Sequence, residues 1–195
     1  MTIRAWAAPL ALAMVLAGSA GAVAQETRLE LFDAHMHWNQ EPDPFYSLEQ
    51  ILAVFKRNGV TGILATSRPN KGTNQLVDAK PQGLWIVPFI RPYRTRADIQ
   101  SWFSDPPIYD LIETEYKRGY YRGVGEFHIY GQAATGPLVK AIVNFAVGRD
   151  LYLHAHCDET ALVHLVRAQS EDEDHLGPHR LLDITRTSGR TDGPI

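Results

Sequence analysis

Two histidines one residue apart, His35 and His37, close a short alternating apolar run over residues 29–34. Side chains alternate between the two faces of a strand, so both imidazoles project to the same side. Paired imidazoles at a strand end supply half of the ligands a divalent cation needs, without help from distant sequence. Asp33, just ahead of them, adds a carboxylate to the neighbourhood. Similar groups recur at the ends of later apolar runs. Arg91 follows residues 84–90, a planar cation suited to a carboxylate or phosphate on a substrate, or to an acid in a nearby loop. Glu126 and His128 stand two apart within residues 122–130 and so share a face; His154 and His156 do the same where residues 151–156 end. A glutamate oxygen is a hard anionic donor able to span two cations, and imidazole suits zinc. The recurrence reads as one metal site gathered from several strand ends.

Those strand ends must be brought together by a fold. Ser47, with Gln50 three residues on, forms a capping box ahead of Leu48, Ile51, Leu52 and Phe55, and Gly59 supplies the helix stop. Residues 60–65 read as a strand buried on both faces, followed by a polar loop over 66–70. Residues 84–90 are a third strand, in which Pro88 belongs near an end because it has no N–H to give to a ladder. Helices are expected over 108–117 and 138–147, and strands over 122–130 and 151–156. A last helix starts at Asp158 or Thr160, with Leu162, Val163, Leu165 and Val166 on its buried face. Strand and helix thus alternate through about five units spaced about 25–35 residues apart, the signature of a parallel sheet with helices outside it. An open doubly wound sheet would gather its site at one switch point, commonly with a glycine-rich turn after the first strand, and the sequence has none there. The polar residues fall instead at the C-terminal ends of strands one, three, four and five, where the sites of (β/α)8 barrels are built. The expected fold is therefore α/β, an incomplete (β/α)8 TIM-type barrel of about five units.

His35 and His37 closing the first strand, with a histidine closing the fifth, give a pattern that resembles the metal-dependent amidohydrolase superfamily over residues 29–168. The resemblance implies that this pair and His154, the first histidine of the fifth strand, bind a divalent metal, with His156 on the same side as the fallback. Zinc is the implied ion, one or two per site. Gly123-Val124-Gly125-Glu126 resembles the TatD-like branch, in which a glutamate of strand four takes the bridging position, and Glu126 is carried over to it. His128 and Arg91 then fall to neighbouring or substrate-contacting roles. The sixth-strand histidine and eighth-strand aspartate of the family pattern have no counterpart here, so its proton-transfer role has no owner. The implied activity is hydrolysis of a small-molecule amide, ester or lactone by metal-activated water. Decarboxylation and phosphodiester hydrolysis lie within the same superfamily. An inert remnant, or an exported α/β binding module that needs no metal, are the readings from other classes.

Other residues have simpler readings. Asp158 is placed to cap a helix N-terminus, His164 lies mid-helix, and Trp38, Phe45 and Tyr46 either wall a pocket or pack their loop. With 195 residues, 45% of them hydrophobic, and a formal charge of -3, the chain suits one soluble core and has no basic block for nucleic acid. Its single cysteine, Cys157, leaves no intrachain disulfide. Arg4, the small apolar run from Ala7, and Ala22-Val23-Ala24 read as a cleaved export signal over 1–24. That implies a periplasmic mature protein without membrane attachment, with 25–170 as the barrel portion. From Glu171 the chain turns to Glu-Asp-Glu-Asp-His and carries few apolar residues, so 171–195 is expected to be disordered. It also fits a shifted reading frame: one nucleotide on, the codons of Glu171 to Arg180 permit Lys-Thr-Lys-Ile-Ile-Trp-Ala-His-Thr-Gly, an apolar strand ending in histidine. Five units leave the first and fifth strands unpaired on one side, and self-association through those edges is expected.

Overall fold

The computed structural model describes residues 29–170 together with the backbone of 181–186. The leader over 1–24 and most of the tail, including His175 and His179, lie outside the described residues. Strands β1 (Leu31–Met36), β2 (Val60–Ala65), β3 (Trp85–Ile90), β4 (Gly123–Ile129), β5 (Tyr152–Cys157) and β6 (Leu181–Arg186) form one sheet. They lie in chain order, and every neighbouring pair is parallel. Helices α1 (Leu48–Asn58), α2 (Lys71–Asp78), α3 (Pro107–Tyr116) and α4 (Pro137–Val147) make the crossovers, and α5 (Glu159–Ser170) follows β5. Among the described strands the order never reverses, so no switch point of a doubly wound sheet occurs there.

The sheet is also strongly curled. In a flat sheet β1 and β5 would stand about 19 Å apart, four spacings of about 4.8 Å. The rings of His35 on β1 and His154 on β5 instead meet at 4.6 Å between centroids. Only a sheet rolled toward the face that carries these residues allows that contact.

Local chemistry explains most of the elements. Ser47 Oγ accepts from the backbone N–H of Gln50 (3.2 Å) while Gln50 Oε1 accepts from that of Ser47 (2.8 Å), the expected capping box. Gly59 ends α1 in the left-handed region, φ 73°. Pro88 lies within β3 at a handover: the ladder with β2 ends at Ala65↔Pro88, and the ladder with β4 begins at Phe89↔Gly123. Its missing N–H therefore interrupts neither. Helix α2 was not legible, because Leu76 and Val77 are its only apolar residues. It buries Gly72, Thr73 and Asn74 instead, and Thr73 Oγ1 accepts from the N–H of Ser67 at 2.9 Å.

Strand β6 corrects the reading of 171–195 as without structure. Leu181–Arg186 pairs in parallel with β5, with Leu153↔Leu181 and Cys157↔Arg186 in register. The alternating sequence Leu181-Leu182-Asp183-Ile184-Thr185 sits inside a stretch whose average composition is polar, which hid it. The outer edge of β5 is accordingly paired, and the open edges of the described sheet belong to β1 and β6.

Candidate metal and acid–base site

The polar strand ends converge. His35 lies on β1 and His37 one step beyond it, with their Nε2 atoms 3.1 Å apart. They stand 3.3 and 3.0 Å respectively from Oε2 of the buried Glu126. Glu126 reaches this position through a distortion of β4, whose register with β5 slips between Gly125 and Phe127. Gly125 has φ +136°, and a Cβ there would collide with the carbonyl of His154, so only glycine fits. The hydroxyl of Thr66, at the end of β2, accepts the N–H of Glu126 (2.8 Å) and donates to the carbonyl of Gly125. One hydroxyl from two strands away thus pins the bend that aims the carboxylate.

Arg91, at 3% exposure, is held at its backbone by the side-chain amide of Asn70, which accepts from its N–H (2.8 Å) and donates to its carbonyl (3.0 Å). Its guanidinium donates to Glu126 Oε2 (3.0 Å) and to the Thr66 carbonyl (3.3 Å). Burial lowers the pKa of Arg91, and the adjacent Glu126 counteracts this. Burial likewise opposes ionisation of Glu126, but the hydrogen bond and charge of His37, with the charges of Arg91 and His35, outweigh it and hold the carboxyl well below the usual range. An anion is therefore fixed at the centre of the cluster.

The electronic bookkeeping of His37 is informative. Its Nδ1 lies 2.7 Å from the Thr66 carbonyl oxygen, which can only accept, and 3.0 Å from Nη1 of Arg91, which can only donate. Its Nε2 stands 3.0 Å from Oε2 of Glu126, an acceptor. A proton on Nε2 would donate to that oxygen, whereas a bare Nε2 would need a cation between the two. Tetrahedral coordination with bonds of about 2.05 Å places ligand atoms about 3.3 Å apart. The separations among His35, His37 and Glu126, 3.0 to 3.3 Å, suit that geometry.

The other carboxylate oxygen faces a second group. Glu126 Oε1 lies 3.4 Å from Nδ1 of His156 and 3.9 Å from Nε2 of His128, whose rings stack at 4.5 Å. Burial lowers the pKa of His128 against the pull of Glu126. Tyr93, fully buried, accepts the backbone N–H of His128 (2.6 Å) and lies 3.1 Å from its Nδ1.

His154 is fully buried on the same face, its ring edge-on to His35 and 6.2 Å from Phe89. Among the described residues the two groups with donor atoms close enough for one ion are His35–His37–Glu126 and Glu126–His128–His156. His156, the fallback of the sequence reading, is thus the fifth-strand histidine beside the carboxylate, while His154 lies against the ring of His35. Asp158 caps α5, accepting from the N–H groups of Ala161 (2.8 Å) and Gly131 (3.0 Å). Trp38 packs its own loop, donating from Nε1 to the Tyr46 carbonyl (2.8 Å). Asp33 accepts the backbone N–H of His35 (3.0 Å) and belongs to the strand end rather than the cluster. Sequence reasoning missed Thr66, Asn70 and Tyr93. Thr66 closes β2 and would have surfaced had the strand-end rule been applied there too.

No family model matches this chain, nor does any curated protein or solved structure.

Proposed function

We propose that this chain is a metal-dependent hydrolase of the amidohydrolase type, built on a (β/α)8 barrel and acting on a small-molecule amide, ester or lactone. One observation carries the reading: Nε2 of His35, Nε2 of His37 and the carboxylate Oε2 of Glu126 lie within 3.0 to 3.3 Å of one another. A divalent ion, zinc in this reading, would supply Lewis acidity and an acidified water at that point. His35, His37 and Glu126 hold it. The Thr66 carbonyl stands 2.7 Å from Nδ1 of His37, behind the ring, the kind of outer contact that orients an imidazole ligand. Arg91 shares the charge of Glu126 and orients it. His156 is the added ligand that the geometry favours for the Oε1 side, and His154 the one that the family resemblance favours. The barrel reading is supported by the meeting of β1 and β5 rings, which face each other across the axis of an eight-stranded barrel. Export to the periplasm follows from the leader-like composition of 1–24.

The test is metal content with turnover. Wild-type protein dialysed against zinc should retain about one equivalent or more, and Glu126→Gln and His37→Gln should lose it while keeping their circular dichroism. Hydrolysis of p-nitrophenyl acetate should vanish with chelation and return with zinc. A folded wild-type protein that retains no divalent cation would rule the reading out.

A further inference from the structure

We propose that His128 is a hydrogen-bond donor to the substrate, presenting Nε2–H to the electron-rich oxygen of the carbonyl under attack, and that Tyr93 is the positioning residue that keeps the proton there. The proposal rests on the hydrolase reading above. Its physical basis is a count of hydrogens. The Tyr93 side chain is fully buried, so its hydroxyl must find partners inside the protein. The oxygen accepts the backbone N–H of His128 at 2.6 Å, a contact whose direction is fixed because an amide can only donate. The hydroxyl hydrogen then needs an acceptor, and among the described residues the one in reach is Nδ1 of the same His128, at 3.1 Å. Nδ1 therefore holds a lone pair, and the neutral imidazole carries its proton on Nε2.

The ring cannot easily turn away from this arrangement. It stacks on the ring of His156 (4.5 Å, 25° between planes), while the Tyr93 hydroxyl holds its Nδ1 edge at 3.1 Å. Yet the side chain stays about a quarter open, at 24%. Its Nε2 is 3.9 Å from Glu126 Oε1, too far for a hydrogen bond. The N–H is thus offered on the far side of the carboxylate from His35 and His37. A preoriented donor beside a reacting carbonyl stabilises the charge that grows on its oxygen. The competing role, a second cation held by Glu126, His128 and His156, would need the lone pair on Nε2 instead. Nδ1 would then donate to the Tyr93 oxygen, and the buried hydroxyl hydrogen would be left without an acceptor among the described residues.

The first arm uses metal-free, 15N-labelled protein and long-range 1H–15N correlation, with His128→Phe assigning the resonances. Nε2 should be the protonated nitrogen and Nδ1 the bare one, and Tyr93→Phe should abolish that bias. A proton on Nδ1, or on both nitrogens at neutral pH, would overturn the proposal. The second arm uses zinc-loaded protein and p-nitrophenyl acetate. His128→Phe keeps the stacking and loses the donor, so kcat should fall about 100-fold. The zinc content should not change, and KM should stay within about threefold, because the contact strengthens in the transition state. His128→Gln, which restores an N–H, should recover part of the rate. An unchanged kcat, or the loss of a zinc equivalent in His128→Phe, counts against the donor role. Failure of wild-type protein to hold zinc would sink the hydrolase reading, while the tautomer measured in the first arm would still report where the proton lies.

Discussion

Thr66 does more than its size suggests. Its hydroxyl serves both backbone partners at the bend in β4, and its carbonyl lies 2.7 Å from Nδ1 of His37. Thr66→Val keeps the shape but leaves a buried N–H and a buried carbonyl without that partner. Each such group costs about 1–3 kcal/mol, so the urea midpoint should drop accordingly, whereas Thr66→Ser should restore most of it. Equal midpoints for valine and serine would show that the hydroxyl is dispensable. Thr66 also marks the limit of reading residues by type. His35, His37 and Glu126 could be picked out because their side chains are rare at strand ends and chemically suited to a cation. Thr66 and Tyr93 act through contacts with the backbone of distant segments, and nothing in their own neighbourhood announces a partner 60 or 35 positions away.

At the scale of elements, the first turn after β3 rests on a single carboxylate. Asp98 accepts from the backbone N–H groups of Arg94 (2.6 Å) and Thr95 (3.1 Å) and from Nε (3.2 Å) and Nη2 (2.8 Å) of Arg94, closing a capping box on the 3-10 turn Arg96–Gln100. The Arg94 hydrogen bonds lower the pKa of Asp98 against the effect of burial. A depressed folded-state pKa means the stabilisation is fully present above the unfolded value, about 3.9, and disappears as pH falls toward the folded one. Asp98→Asn should therefore be less stable than wild type at pH 7, and the gap should narrow as pH falls below the unfolded value of about 3.9. Parallel stability curves across that range would remove Asp98 from the account. This turn went unread, as did α2, because both are built from hydrogen-bonded polar residues rather than from an apolar stripe. The elements that were legible, α1, α4 and the strands β2, β4 and β5, all carry an apolar pattern or a recognisable cap.

For the whole molecule, chain-ordered parallel pairing was foreseeable from the repeating strand–helix alternation. The pairing of β6 was not, since six favourable residues were averaged into a polar tail. Among the described residues the edge at β1 is open, and its neighbourhood is apolar: Leu31 and Phe32 are nearly half exposed, and Trp85, 68% exposed, packs on Phe32 at 5.7 Å. An edge strand of this kind recruits further strands unless charge blocks it. Sedimentation velocity should reveal concentration-dependent association that Phe32→Lys reduces. A strictly monomeric wild type at high concentration would show that this edge is protected by other means.

The narrowest joint in the sheet gives the site another meaning. β3 and β4 share only two registered pairs, Phe89↔Gly123 and Ile90↔Val124. Separate apolar cores lie on either side of it, one around Ile63, Phe55 and Leu76, the other around Phe127, Ile142 and Leu165. Such halves behave as distinct cooperative units, and the boundary between them is where native proteins open most readily. His35, His37 and Thr66 belong to one half, Glu126, His128 and His156 to the other, and Arg91 stands at the boundary. Whatever binds among them is therefore also a clasp: by gripping both units it would couple their amide-exchange protection, merging two breathing motions into one.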